Sequence, residues 1–156
     1  MENRSSSALI WIAAALALVV CLRQSQIGRA APYFTLQGAY GGQYHLDSFR
    51  GRPVLLVFWM TSCGICRHEL PILDRLHAEA ARNDVEIAGV NIGDVEGARE
   101  VMRPLHLLNL VDPDGSVARS YRVRGVPKLV LIGADGKIKR AVSGLQGEEA
   151  LRTWLY

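Results

Sequence analysis

The chain has little of what a metal centre or a nucleic-acid surface needs. Of its 156 residues only three are cysteine and four histidine. A structural zinc site takes four such ligands, as two closely spaced pairs or as a cysteine pair with two histidines a few residues apart. Here Cys21 stands alone in an apolar segment, and His45, His68, His77 and His106 are scattered. No metal and no separate cofactor is therefore expected. The formal net charge is only +3, with no basic run and no interleaving of aromatic and basic residues, which argues against a partner made of DNA or RNA. No internal repeat and no low-complexity segment is present. With 49% apolar residues the chain has the material for one globular domain.

What the sequence does have is one stretch around which the rest is arranged, running from Phe58 to Pro71. It is preceded by Pro53-Val54-Leu55-Leu56-Val57-Phe58-Trp59, a continuous apolar run suited to a strand buried on both faces. After it, Leu70, Leu73, Leu76 and Ala80 recur at spacings of three and four, predicting a helix from about Gly64 to Arg82. Cys63 therefore sits where a strand hands over to the first turn of a helix, and Cys66 follows almost one turn later on the same face. Unpaired N–H groups and the positive end of the helix dipole favour a thiolate at that place. Two thiols so spaced can alternate between dithiol and disulfide. A merely structural disulfide and soft Cu(I) ligation by the same two sulfurs are the other readings of the pair.

The amino terminus has a different character. From Ser5 to Leu22, between Arg4 and Arg23, no residue is charged. That length lies between a cleaved signal and a spanning helix. Only Gly28-Arg29-Ala30 offers a weak small-x-small cleavage site, so an uncleaved membrane anchor is the expectation. The expected organisation is an anchor over 1–23, a tether over 24–31 and one domain over 32–156. Arg4 on one side and Arg23 and Arg29 on the other barely discriminate orientation. A disulfide-exchanging domain after such a segment points to export, since disulfides persist outside the cytoplasm. Val20 is bulkier than the residue that precedes a lipid-modified cysteine, so Cys21 reads as an ordinary segment residue.

In chain order, Pro32–Leu36 and Gln43–Leu46 read as short strands about the glycine-rich Gly38–Gly42 turn, and Asp47–Gly51 as a capped helical turn. Val85–Asn91 reads as a buried strand and Val95–Met102 as a helix ending before Pro104. Asp112-Pro113-Asp114-Gly115 is a turn leading into a short helix over Ser116–Tyr121. Val126–Ile132 is another buried strand, with a hairpin turn at Ala134–Lys137 into Ile138–Ser143 and a last helix over Glu148–Leu155. The order implies an α/β fold, a central mixed sheet flanked by helices on both faces.

Phe58-Trp59, Cys63-Gly64-Ile65-Cys66, Pro71, Asp112-Pro113-Asp114-Gly115 and Val123-Arg124-Gly125-Val126-Pro127 together resemble a family. It is that of the membrane-anchored thioredoxin-like thiol-disulfide oxidoreductases of the TlpA, ResA and DsbE type. The likeness covers about Pro32 to Trp154. It implies a thioredoxin fold with an amino-terminal β-hairpin addition, held by a single-pass anchor with the catalytic domain on the periplasmic or extracytoplasmic side. It further implies a cis peptide before Pro127, a client strand bound at Val126, Trp59 beside the client site, a kink at Pro71, and Glu69 as acid-base partner of Cys66. The clients it implies are protein disulfides, such as those of apocytochrome c or copper-site proteins, reduced at the expense of a membrane electron donor.

The sequence departs from the family at several positions. Ser62 replaces a tryptophan, Gly64-Ile65 a proline-containing pair, and Lys128 a threonine or glutamate, while Val57 stands where thioredoxin has a buried aspartate. Arg67, Arg124 and Lys128 would make the site electropositive. A thiol peroxidase is a rival, because the Pro32–Phe58 segment also resembles peroxiredoxins. The threonine and proline that such enzymes place before their cysteine are Met60 and Leu56 here. A Cu(I)-binding chaperone is the second rival, with no third ligand evident.

Overall fold

The computed structural model describes residues 10–16 and 26–155. Residues 10–16 are helical and exposed, and among the described residues no helix is long and apolar enough to cross a membrane. Most of the expected 1–23 anchor lies outside the described residues.

From Thr35 onward seven strands form one sheet: β1 (Thr35–Gly38), β2 (Gln43–His45), β3 (Val54–Trp59), β4 (Glu86–Ile92), β5 (Leu108–Asp112), β6 (Lys128–Ile132) and β7 (Ile138–Ser143). Their spatial order is β2-β1-β5-β4-β3-β6-β7. β4 runs parallel to both β3 and β5, whereas β6 is antiparallel to β3 and to β7, and β1 is antiparallel to β2 and to β5. The helices are α1 (Gly64–Ala80), α2 (Val95–Met102), α3 (Ser116–Ser120) and α4 (Glu148–Leu155).

β3 is central, and all six of its residues are buried. Its alternation divides the interior in two. Leu55, Val57 and Trp59 meet Cys66, Leu70, Leu73 and Leu76 of α1, Ala98 and Met102 of α2, and Leu151 and Leu155 of α4. Val54, Leu56 and Phe58 meet Val117, Ala118 and Tyr121 on the α3 side, with Phe34 and Phe49 from the amino-terminal part. A continuous apolar run is what a strand covered on both faces requires. The mixed sheet with flanking helices is thus the expected α/β architecture.

Two features differ from expectation. β5 was not foreseen, because Leu107–Val111 is a short apolar run broken by Asn109 and lies between two stop signals, Pro104 and the Asp112 turn. It is the strand that joins β1 to the parallel core. The described part of the segment expected as a tether over 24–31 is docked onto the domain. The N–H of Gly28 donates to Ile138, that of Ile138 to Arg29, and that of Ala31 to Gly136, at 2.7, 2.9 and 2.9 Å. This covers polar backbone at the outer β6–β7 hairpin. As expected, α1 is continuous from Gly64 to Ala80 with Pro71 inside it.

Candidate active site

The site is built at the carboxyl end of β3. After Trp59 the chain turns, with the N–H of Cys63 donating to the Met60 carbonyl at 3.0 Å, and Cys63 becomes the N-cap of α1. Its carbonyl accepts from Arg67 N–H at 3.1 Å, and its sulfur accepts from Cys66 N–H at 3.1 Å. A sulfur in that position receives one of the N–H groups that a helix start leaves unpaired, together with the positive end of the dipole.

Cys63 and Cys66 are joined as a disulfide, with their Cα atoms 5.3 Å apart. The two sulfurs differ in access. Cys63 is partly exposed, while Cys66 is 1% exposed and packed in the α1-side core. A partner can reach only the first. Around it Met60 is 39% and Ile65 55% exposed, and Ser62, Arg67 and His68 are exposed too.

Opposite the disulfide lies the loop before β6. The Val126–Pro127 peptide is cis, and the Val126 carbonyl oxygen is 3.8 Å from Cys63 Sγ. A disulfide sulfur has no proton to donate, so in this state the approach is a contact. Val126 is partly exposed and Pro127 buried, so a backbone acceptor is presented beside the reactive sulfur.

Trp59, expected to line the client surface, is wholly buried. Its indole edge packs over Gly89 of β4, where a Cβ would stand 3.2 Å from Nε1. The alternation of β3 turns it inward under α1, so it supports the site from beneath and does not meet a client.

Glu69 lies one turn after Cys66 on the inner face of α1 and is 1% exposed. One carboxyl oxygen accepts the backbone N–H of Gln146 at 2.8 Å, and the other is buried without a partner. Burial pushes its pKa up, and the Gln146 hydrogen bond only partly opposes the shift. A carboxyl group pushed above its ordinary range, one helical turn from a cysteine that is a thiol in the reduced state, is chemically equipped to take up and return a proton there.

Sequence reasoning missed two supports. Asp94 caps α2, accepting from Gly97 N–H at 3.0 Å, and also accepts from the Thr61 hydroxyl at 2.9 Å, which fixes the turn leading to Cys63. The Asp-x-x-Gly pattern before a helix was a usable signal. Gln146 acts through its backbone, which no side-chain pattern announces. Among the described residues no group of three or more His, Cys, Asp or Glu is placed to hold a metal ion.

Residues 27–141 match the AhpC/TSA family model. The thiol-disulfide oxidoreductase ResA of Geobacillus thermodenitrificans is 30% identical over 132 residues, covering 83% of this chain and 76% of the relative. A secreted Mycobacterium tuberculosis disulfide oxidoreductase, homologous to E. coli DsbE, superposes with a TM-score of 0.70 at 27% identity. That match covers 78% of this chain and 93% of the other. DsbF of the same species, solved in mixed oxidised and reduced forms, gives a TM-score of 0.72 at 25% identity, covering 78% and 92%.

Proposed function

Because the chain belongs to the AhpC/TSA family and is a thiol-disulfide oxidoreductase of the ResA and DsbE type, we propose that it reduces disulfides in client proteins through Cys63 and Cys66. The observation that supports this most is the unequal pair at the start of α1, with one sulfur open to a partner and the other sealed in the core. In the dithiol state Cys63, favoured as thiolate by the helix start, attacks one sulfur of a client disulfide. The client's other sulfur leaves as a thiolate, and a mixed disulfide forms. Cys66 then loses its proton to Glu69 and attacks Cys63 Sγ, releasing the second client thiolate. The client gains two electrons, and Cys63–Cys66 is left oxidised as in the structure. Val126 offers its backbone to the client segment, with Pro127 holding that loop against the pair.

To act again the pair must be reduced by a donor. The uncharged stretch from Ser5 to Leu22 supports a single-pass anchor, with the domain on the extracytoplasmic side and a membrane-borne electron donor. Clients of the apocytochrome c or copper-site kind fit the same reading. A peroxidase is disfavoured, since Leu56 is buried in β3 and Met60 is a thioether where that chemistry uses a hydroxyl.

The test is the equilibrium reduction potential of the pair, with Cys66→Ser as control. A value near or below about −230 mV fits a dedicated reductant, and one near about −120 mV would identify a disulfide donor instead. Cys66→Ser is expected to accumulate the mixed disulfide with a client, and Cys63→Ser to form none. Failure of the native pair to form an internal disulfide would overturn the redox reading and favour Cu(I) binding.

A further inference from the structure

Immediately beyond the Val126–Pro127 loop the surface holds a small polar cup of about 190 Å³, lined by Gln26, Arg122, Arg124 and Lys128. Among the described residues that line it, three of the four are cationic and none is acidic. Among the described residues neither Arg124 nor Lys128 is paired with a carboxylate. Lys128 is half-buried, and both its burial and the charge of Arg124 hold its pKa below the ordinary lysine range. The two cations therefore repel each other across the cup, an arrangement that an anion would relieve.

A second observation concerns how Arg122 reaches the cup. α3 ends with Tyr121 as C-cap, and Arg122 follows with φ of 53°. Val123 N–H donates back to Ala118 and Arg122 N–H to Arg119, both at 2.9 Å. This is the helix ending in which the left-handed residue is usually glycine. An arginine there is held against local preference. Gln26 is fixed in turn, its side-chain amide donating to the Tyr121 carbonyl at 2.9 Å. The cup is thus assembled by the end of α3, the start of β6 and the amino-terminal segment, two residues along the chain from the Val126 carbonyl that contacts Cys63 Sγ.

We propose that this cup is a subsite for a client carboxylate, so that the protein selects polypeptides bearing Asp or Glu close in sequence to the cysteine it attacks. The inference rests on the thiol-disulfide reading above and names its substrate class. Val126, whose carbonyl lies 3.8 Å from Cys63 Sγ, is two residues before Lys128. Two extended residues span about 7 Å. A client strand passing Val126 with its cysteine at Cys63 therefore brings a side chain roughly two to four residues away over the cup.

The experiment uses the full chain in its dithiol form and two peptides, each closed by one disulfide. They are identical except that one carries Glu at positions two to four from its cysteines and the other Gln. Each turnover oxidises Cys63 and Cys66 to the disulfide and reduces the peptide disulfide to two thiols. At low ionic strength the Glu peptide is expected to react about tenfold faster, with the advantage shrinking as salt is added. The ratio of the two rate constants should fall severalfold in Arg124→Gln and in Lys128→Gln, and should invert in Arg124→Glu. Taking the ratio within each variant cancels any general change in Cys63 reactivity or in the folded fraction.

A ratio near one in the native protein, or one that the three variants leave intact, overturns the inference. An uncharged disulfide, bis(2-hydroxyethyl) disulfide, separates the two levels. If it is reduced while the peptides are not distinguished, only the cup assignment fails. If neither it nor either peptide is reduced, the oxidoreductase reading fails and the client preference with it.

Discussion

Replacing Glu69 by Gln should make the protein more stable at neutral pH and a poorer catalyst at the same time. The carboxyl is 1% exposed and is given one hydrogen-bond donor, Gln146 N–H at 2.8 Å, with its second oxygen unpartnered. An ionised carboxylate can accept about four hydrogen bonds, so most of what water would supply is missing. Burial accordingly raises the folded pKa above that of the unfolded chain. Between the two values the unfolded chain gives up its proton while the folded chain keeps it. The stability that Glu69 contributes is therefore present below the unfolded value and is lost as pH rises through the folded one. Glutamine has the same shape, keeps a carbonyl for Gln146 and cannot ionise. Its gain should be near zero at pH 4 and grow as pH rises to about 1–2 kcal/mol, the order of the cost of a buried polar oxygen left without a partner, which in a chain of this size is about 3–6 °C in Tm. The measurement is thermal unfolding of the full chain across pH, with the disulfide kept closed so that the thiols do not titrate. In parallel, the proposed mechanism expects the mixed disulfide to resolve more slowly in Glu69→Gln, because glutamine cannot take up the Cys66 proton. Equal gains at pH 4 and pH 7, or no gain at either, would refute the burial argument. Unchanged resolution kinetics would remove Glu69 from the mechanism.

Two structural substitutions test how the site is held. Asp112 accepts the N–H groups of Val117 at 3.3 Å and of Ala118 at 2.7 Å, anchoring α3 from beneath. Asp112→Ala leaves both donors buried and should cost about 2–3 kcal/mol in urea unfolding, with Asp112→Asn costing less because one oxygen remains; an equal loss in both would mean that charge, not hydrogen bonding, matters there. Gly89→Ala would place a methyl 3.2 Å from Trp59 Nε1 and 3.5 Å from Met102 Cε, inside a packed core. It should cost about 1–3 kcal/mol, and a neutral result in the same assay would show that the indole can shift.

Where an element is held by its own periodicity, the sequence reveals it. The unbroken apolar run of β3 and the leucine spacing of α1 locate the strand-to-helix junction, and with it both cysteines, because each pattern answers to burial within a single element. β5 has no such pattern. Leu108–Asp112 is five residues with the polar Asn109 second among them, and it is a strand because β4 and β1 offer it backbone partners on both sides. The same holds for residues 28–31, whose backbone is fixed by Gly136 and Ile138 more than a hundred positions away. Trp59 shows the converse error. Its place in the motif suggested a client surface, but β3 alternation sends positions 55, 57 and 59 toward α1.

The carboxyl at the heart of the site illustrates why chemistry was harder to read than fold. Val57, at the position where a strand could supply an acid, is apolar and joins the α1-side core. Glu69 lies on the inward face of α1 itself. Spacing alone puts Glu69 one turn after Cys66, but a residue there is ordinarily solvated, and what removes it from water is the segment between β7 and α4. Gln146 in that segment is 77 positions away and contributes only its N–H. The environment that raises the Glu69 pKa thus includes a long-range backbone contact. Since protonation changes what Glu69 asks of that N–H, the position of the loop and the charge of the carboxyl are linked. Any substitution that loosens the loop, such as shortening it between Gly144 and Gly147, should admit water to Glu69 and bring its pKa back toward the ordinary carboxylate range. The raised pKa is a property of how the last strand and last helix are joined, and it would be lost with Cys63 and Cys66 left untouched.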